Sequence, residues 1–190
     1  MYPLILDLNS LIDLTEEQFF DLCQRHELIR FERNADRTLS LRPLFGGITS
    51  NRSANLCYQL VNWNHDEIGI CFSSSTGFTL PNSAVRSPTL SWLKRDKWDA
   101  LTQEQQEKFA PVCPDFVVEF CTDYDDWRQL QTKMQEYLDN GCQLGWLIDL
   151  NDWQVEIYRT GKKIEVLNNP DNLDGEDVLP GFILDLAAIM

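Results

Sequence analysis

The chain has 190 residues, and its 43% hydrophobic and 24% charged content is ordinary for one globular domain with a full core. A net charge of −14 argues against a protein that coats nucleic acid non-specifically, because phosphate binding depends on Lys and Arg, but it is compatible with an enzyme that meets DNA through one local basic face. No run approaches the roughly 18 apolar residues that span a bilayer, and the N-terminus does not resemble a signal peptide. We expect one cytoplasmic domain over residues 1–190, with no membrane partner.

In chain order, the first half predicts a helix, a two-stranded hairpin and a second helix, over residues 15–26, 29–42 and 51–63. The first helix begins with a capping-box pattern at Thr15. The hairpin shows alternating apolar and polar residues on both sides of a turn. Gly46-Gly47 precedes the second helix and could bind phosphate at a helix N-terminus, but without a P-loop partner it predicts a turn.

Short strands and two further helices fill the rest of the chain. Strands are predicted at residues 68–72, 78–80, 89–93, 114–121, 144–150, 155–158 and 163–167. Helices are predicted at residues 102–109 and 125–140, the second ending at Gly141. This order of elements predicts a mixed α/β fold with a central sheet flanked by helices on both sides.

One predicted strand carries an acid among apolar residues. Alternation places Asp115, Val117 and Glu119 on one face, and a buried Glu119 needs a cation, a proton or a basic neighbour. Lys133 follows on a helix, one turn before Tyr137, where it could neutralise a phosphate or position a water. Alternatively, Asp115 is a turn residue, Glu119 forms a structural salt bridge and Lys133 is simply exposed.

Segments spread along the chain carry a family resemblance. They include AVRSP (84–88), CPDFVVE (113–119), KMQEY (133–137), GWLID (145–149) and LPGF (179–182). In order and spacing they resemble the Uma-type family, bacterial proteins described as restriction-endonuclease-like. The resemblance implies a restriction-endonuclease-like PD-(D/E)XK fold and a metal-dependent DNA endonuclease. In such enzymes acids on two strands hold Mg²⁺ or Mn²⁺, and a lysine assists the attacking water.

The resemblance also implies roles for particular residues. Glu119 matches the second strand acid, Lys133 the helix lysine and Glu32 an N-terminal acid, so these three are the catalytic candidates. The metal-ligand candidates are Glu119, Thr89 and Asp115. Thr89 stands where the family pattern has Asp, and its neutral hydroxyl is a poor ligand for a divalent cation. Asp123 or Asp125 could substitute for the missing acid.

Three hypotheses for function remain at this point. The first is a Mg²⁺- or Mn²⁺-dependent endonuclease, and the second is a catalytically impaired homologue that acts as a binding or regulatory protein. The third is an unrelated α/β enzyme with its pocket away from Glu119. The expected partners are DNA, bound weakly, and a second copy of this chain. The densest basic cluster (Arg86, Lys94, Arg95 and Lys97) could be the DNA-binding face or a solvated loop.

Overall fold

The computed structural model describes residues 4–26, 28–42 and 44–189. The strands of these ranges are β1 (Leu4–Leu6), β2 (Arg30–Arg33), β3 (Leu39–Arg42), β4 (Gly69–Ser73), β5 (Phe78–Thr79), β6 (Val85–Arg86), β7 (Leu90–Lys94), β8 (Phe116–Cys121), β9 (Leu144–Asp149), β10 (Gln154–Arg159), β11 (Glu165–Asn168), β12 (Asn172–Asp174) and β13 (Ile183–Asp185). The helices are α1 (Glu16–Arg25), α2 (Gly47–Trp63), α3 (Arg95–Asp99), α4 (Gln103–Glu107) and α5 (Trp127–Asp139).

The larger sheet has six strands in the order β11-β10-β9-β8-β7-β4. β8 and β9 are parallel, and the other neighbouring pairs are antiparallel. The parallel pair needs a crossover, which α5 supplies by packing on β8, β9 and β10. α2 packs against β4 and β7 on the opposite face. The predicted mixed sheet with helices on both sides is therefore confirmed.

Strand β8 lies in the centre of this sheet, and all six of its residues are buried. Its Phe116, Val118 and Phe120 pack in the same apolar cluster as the buried leucines of α2. Val117 points to the other face, into the cluster that contains Met134 of α5. Each such side chain contributes about 1.5–3 kcal/mol when it leaves water. The alternation that hides these residues also directs Glu119 towards α5.

Besides the separate antiparallel pair of β12 and β13, a five-stranded antiparallel sheet has the order β1-β3-β2-β6-β5. Its centre is the predicted hairpin, in which Glu32 of β2 pairs with Ser40 of β3. Opposite residues share a face, so Glu32, Ser40 and Arg42 project to the same side. One further pair, Arg33 with Val85, joins β6 to the hairpin. This sheet therefore carries an acid and two arginines, Arg42 and Arg86, towards α5.

Helix α1 matches the sequence prediction, whereas α2 starts earlier than predicted. Thr15 and Gln18 form the expected capping box at α1. α2 begins at Gly47 with Gly46 as its N-cap, which supplies no side-chain hydrogen bond. A glycine cap is a weaker sequence signal than the Ser and Asn that follow it, and the prediction chose those residues. No helix in the described ranges is both long and apolar enough to cross a membrane.

The six cysteines all carry free thiols, and Cys113, Cys121 and Cys142 are buried. Burial raises the pKa of Cys113 and of Cys121 to about 12, so neither forms a thiolate near neutral pH. Since the thiolate is the reactive species, these side chains act as small apolar groups.

Candidate active site

The three catalytic candidates, Glu32, Glu119 and Lys133, meet in a buried cluster between the two sheets and α5. Nζ of Lys133 lies 2.7 Å from Oε1 of Glu32 and 2.6 Å from Oε1 of Glu119. The side chain of Lys133 is 7% exposed, that of Glu32 is 3% exposed and that of Glu119 is fully buried. The long helix thus places one ammonium between two carboxylates from different sheets.

Two arginines that sequence reasoning did not assign to this site surround the cluster. Arg42 lies 4.0 Å from Oε2 of Glu32 and 3.8 Å from Oε2 of Glu119. Arg86 lies 3.7 Å from Glu32 and donates a hydrogen bond from its Nε to Glu136. The hairpin alternation, which puts Arg42 on the face of Glu32, was the signal that could have found Arg42. Lys133, Arg42 and Arg86 therefore compensate Glu32 and Glu119, while Arg86 is shared with Glu136 and Arg42 with Asp125.

These contacts set the protonation states of the cluster. Burial alone would raise the pKa of Glu32, but Lys133 and the two arginines outweigh it, and the pKa lies well below its ordinary range. Burial lowers the pKa of Lys133, and the two carboxylates oppose that shift only in part. Burial also raises the pKa of Tyr137, whose hydroxyl donates a 3.0 Å hydrogen bond to Glu119. Glu32 is thus ionised at neutral pH, and Tyr137 is a neutral donor.

Thr89 precedes β7 and lies beside Glu119. Leu90 pairs with Val118 in the antiparallel β7–β8 ladder, so extending that register by one residue puts Thr89 opposite Glu119 on the same face. Its Oγ1 accepts a 3.3 Å hydrogen bond from the backbone N–H of Phe120. The residue is 1% exposed. The structure therefore places a buried, neutral hydroxyl opposite Glu119.

Asp115, the other metal-ligand candidate, lies apart from the cluster. Its Oδ1 accepts hydrogen bonds from Nζ of Lys97 at 2.7 Å and from Gln143 at 2.8 Å, and its Oδ2 accepts one from the N–H of Lys94 at 2.9 Å. Along an extended strand it stands roughly 13 Å from Glu119, so a shared face does not bring the two acids together. Asp115 instead ties α3 to the large sheet.

The basic cluster expected near residues 86–97 does not form one DNA-binding face. Arg86 points inward to Glu32 and Glu136, as described above. Arg95 pairs with Glu67 at 3.1 Å, and Lys97 pairs with Asp115. Strand alternation and the turn into α3 send neighbouring basic residues in different directions, so nearness in sequence did not produce a common surface.

The cluster can be tested for its fit to a divalent cation. Oε2 of Glu119 is buried without a hydrogen-bond donor among the described residues, which favours a further ligand. In the same ranges, however, no three Asp, Glu, His or Cys side chains converge to hold a metal ion. Asp125 is bonded to Thr122 and reaches only Arg42, at 3.9 Å. Since Lys133 already lies between Glu32 and Glu119 and no third acid of the described residues joins them, these residues do not fit resident Mg²⁺ or Mn²⁺.

Two cavities open beside the cluster. One of about 290 Å³ is lined by Glu32, Arg42, Arg86 and Lys133. The other, of about 600 Å³, also includes Arg42 in its wall. The larger cavity therefore adjoins the Glu119 cluster, which does not favour the hypothesis of an unrelated enzyme with a distant pocket.

Comparisons with known proteins identify the family and the fold of the chain. A sequence model of the Uma2 family, described as "Putative restriction endonuclease", matches residues 16–187. The chain belongs to the Uma2 family. The structure is similar to a crystal structure of "a putative nuclease belonging to DUF820 from Anabaena variabilis ATCC 29413", with a TM-score of 0.75 and 20% identity over 93% of this chain and 97% of that one. A comparison with curated protein sequences finds no match. The family resemblance and the restriction-endonuclease-like fold of this Uma2 protein are thus confirmed.

Proposed function

We propose that this Uma2-family protein binds DNA through a nuclease fold and that its metal-dependent cleavage is impaired at position 89. The observation that carries the proposal is Thr89, which lies opposite Glu119 and offers no charge to a cation. A nuclease centre of this type needs two strand acids, and among the described residues of the larger sheet only Glu119 joins the Lys133 cluster. The rest of the cluster keeps the cationic groups that recognise a phosphodiester.

Binding follows from the charges that line the smaller cavity. Arg42, Arg86 and Lys133 line this cavity. Ion pairs with Glu32 and Glu119 hold the side chains of Arg42 and Lys133 in position. A phosphate entering here would meet Arg guanidinium donors arranged for two-point contact and the Lys ammonium as a point charge. Because the chain carries −14 overall, we expect weak affinity that falls further as salt increases.

Cleavage needs more than this cationic surface. A bound divalent cation would polarise the phosphate and lower the pKa of its water, which supplies the nucleophile. In this chain Lys133 bridges Glu32 and Glu119 instead, and the hydroxyl of Thr89 is held by a backbone amide. The site therefore favours binding over hydrolysis.

One observation favours an active endonuclease as a second candidate. Oε2 of Glu119 is buried and lacks a hydrogen-bond donor among the described residues. Mg²⁺ is often held by one or two carboxylates together with substrate phosphates and water. A substrate phosphate could therefore complete a site that the chain alone does not form.

Nicking of supercoiled plasmid in Mg²⁺ and in Mn²⁺, with plasmid binding measured in parallel, separates the two candidates. The variants are Thr89→Asp and Glu119→Gln, and Glu156→Gln is the control, since Glu156 is a buried acid bonded to Gln131 and Tyr158. The proposal predicts that wild type binds without nicking and that Thr89→Asp gains nicking. Nicking by wild type that Glu119→Gln abolishes and Glu156→Gln preserves would establish the second candidate. Absence of binding, or a Thr89→Asp variant that still fails to nick, contradicts the proposal.

A further inference from the structure

The larger cavity next to the cluster combines cationic and aromatic side chains. We call it the arginine–aromatic groove, and its defining residues are Arg30, Arg42, Arg52, Phe45, Tyr124 and Trp153. Its volume is about 600 Å³, which is enough for a nucleotide-sized ligand. Arg42 belongs both to this groove and to the Glu119 cluster, so a strand lying in the groove would pass the candidate active site.

Stacking on aromatic rings orients two of the arginines in the groove. The guanidinium of Arg30 lies 5.3 Å from the centre of the Phe45 ring, and that of Arg52 lies 5.0 Å from the centre of the Trp153 ring. Each also donates to a backbone carbonyl, Arg30 at 3.1 Å and Arg52 at 3.4 Å. Oriented guanidinium groups lose less freedom when they bind a phosphate.

Two aspartates, Asp123 and Asp125, also line the groove and reduce its positive charge. Asp125 is committed to Thr122, from which it accepts hydrogen bonds at 3.0 and 2.7 Å. Three arginines against two aspartates leave this cavity net positive, although the chain as a whole carries −14. The groove is therefore a place where an acidic protein presents a locally favourable potential to an anion.

The start of α2 adds to the anion-binding character of the groove. Gly46 caps the helix without a side-chain hydrogen bond, and its first turn contains no acidic residue. A Cβ atom added to Gly46 or Gly47 would meet no other atom within 4 Å, so the space beside this turn is open. The partial positive charge of a helix N-terminus thus supplements the arginines.

Tyr124 differs from the other aromatic residues of the groove because its side chain is free to stack on a ligand. It is 63% exposed, and it lies in the turn that Asp125 holds through Thr122. Phe45 and Trp153 already stack on arginines. An exposed ring beside oriented cations is the arrangement with which proteins bind single strands, since every unpaired base offers a face for stacking.

We propose that the arginine–aromatic groove binds single-stranded DNA, with phosphates on the arginines and a base stacked on Tyr124. This inference rests on the proposed function and adds the class of nucleic acid. A duplex hides the faces of its bases inside the stack, so an internal base pair cannot use Tyr124 in this way. We therefore expect single strands to bind more tightly than duplexes of the same sequence.

Fluorescence anisotropy with a labelled oligonucleotide tests this preference, using the single strand and its duplex, at low salt and in EDTA so that cleavage plays no part. Tyr124→Ala should weaken single-strand binding about fivefold or more and leave duplex binding nearly unchanged. Tyr124→Trp should retain single-strand binding, because the stacking ring is kept. Tyr58→Ala is the matched control, since Tyr58 is 70% exposed and does not line the groove.

The outcomes separate this inference from the proposed function. Equal or tighter binding of the duplex, or Tyr124→Ala binding single strands like the Tyr58→Ala control, overturns the single-strand inference and leaves DNA binding intact. Absence of binding to either DNA contradicts both. An Arg30→Gln variant that lowers affinity for single strands while Tyr124→Ala does not would show phosphate contact without stacking, and it also overturns the inference.

Discussion

Removal of the Lys133 ammonium should strongly destabilise the protein. Lys133→Met keeps an unbranched side chain but leaves Glu32 and Glu119 without the cation that lies 2.7 and 2.6 Å from them. Both carboxylates are almost fully buried, and the remaining contacts to Arg42 and Arg86 are 3.7–4.0 Å long. Breaking a buried ion pair by removing one partner typically costs about 3–5 kcal/mol, and we expect a loss of free energy of unfolding in that range.

Urea denaturation at pH 7 measures this loss. Lys97→Met is the matched control: it removes the partner of Asp115, but Lys97 is 39% exposed and Asp115 keeps hydrogen bonds from Lys94 and Gln143, so the loss should be smaller. The double variant Lys133→Met with Glu119→Gln should recover part of the stability, because one unpaired charge is gone. A Lys133→Met protein within about 1 kcal/mol of wild type would refute the view of a mutually compensating buried cluster.

Three further predictions concern the cluster and the sheet. The folded pKa of Glu32 is lowered below its unfolded value of about 4.3, so its contribution is complete above that pH and is lost on acidification. Acid unfolding of Glu32→Gln should therefore be less steep below about pH 4.3 than that of wild type. Tyr137→Phe leaves the buried carboxyl of Glu119 without the donor of its 3.0 Å hydrogen bond and should lower the free energy of unfolding in urea by about 1–3 kcal/mol. Gly69→Ala would drive a Cβ into the Trp92 ring, and thermal unfolding should show a loss of about 1–3 kcal/mol.

Each of these predictions has a control and a contradicting result. Parallel acid-unfolding curves of wild type and Glu32→Gln would show that the cations around Glu32 add nothing to the free energy of unfolding. For Tyr137→Phe, the control is Tyr124→Phe at an exposed ring, and equal stability of the two variants would show that the bond to Glu119 is unimportant. For Gly69→Ala, the control is Gly47→Ala, where an added Cβ meets open space. A Gly69→Ala protein as stable as that control would contradict the close contact with Trp92.

Elements with strong periodicity or clear caps were predictable from the sequence. The capping box at Thr15, the alternating hairpin around residue 36 and the amphipathic helix before Gly141 all lie where the patterns predicted them. The strand with Glu119 was also predicted, since apolar alternation is a local property. The two-residue strand β5 falls within the predicted strand at 78–80, whereas β6 carries too little pattern of its own and forms through pairing with β2 and β5.

The site was predictable only in part. The family resemblance brought Glu119, Lys133 and Glu32 together correctly, although they lie up to 101 positions apart. The prediction that Asp115 acts together with Glu119 was wrong. Strand alternation gives the face on which a side chain lies, but not its distance from another side chain along the strand. The hairpin alternation places Arg42 on the face of Glu32, but its contact with Glu119 comes from packing between the sheets, which no local pattern records.

Binding of Mn²⁺ tests the central claim most directly, since the claim is that Thr89 and the surrounding cations leave the site without a metal. Electron paramagnetic resonance counts the Mn²⁺ bound to wild type, Thr89→Asp and Glu119→Gln. The account predicts that wild type and Glu119→Gln bind the same amount, and that Thr89→Asp binds one ion more. An ion bound by wild type and lost in Glu119→Gln would contradict the account.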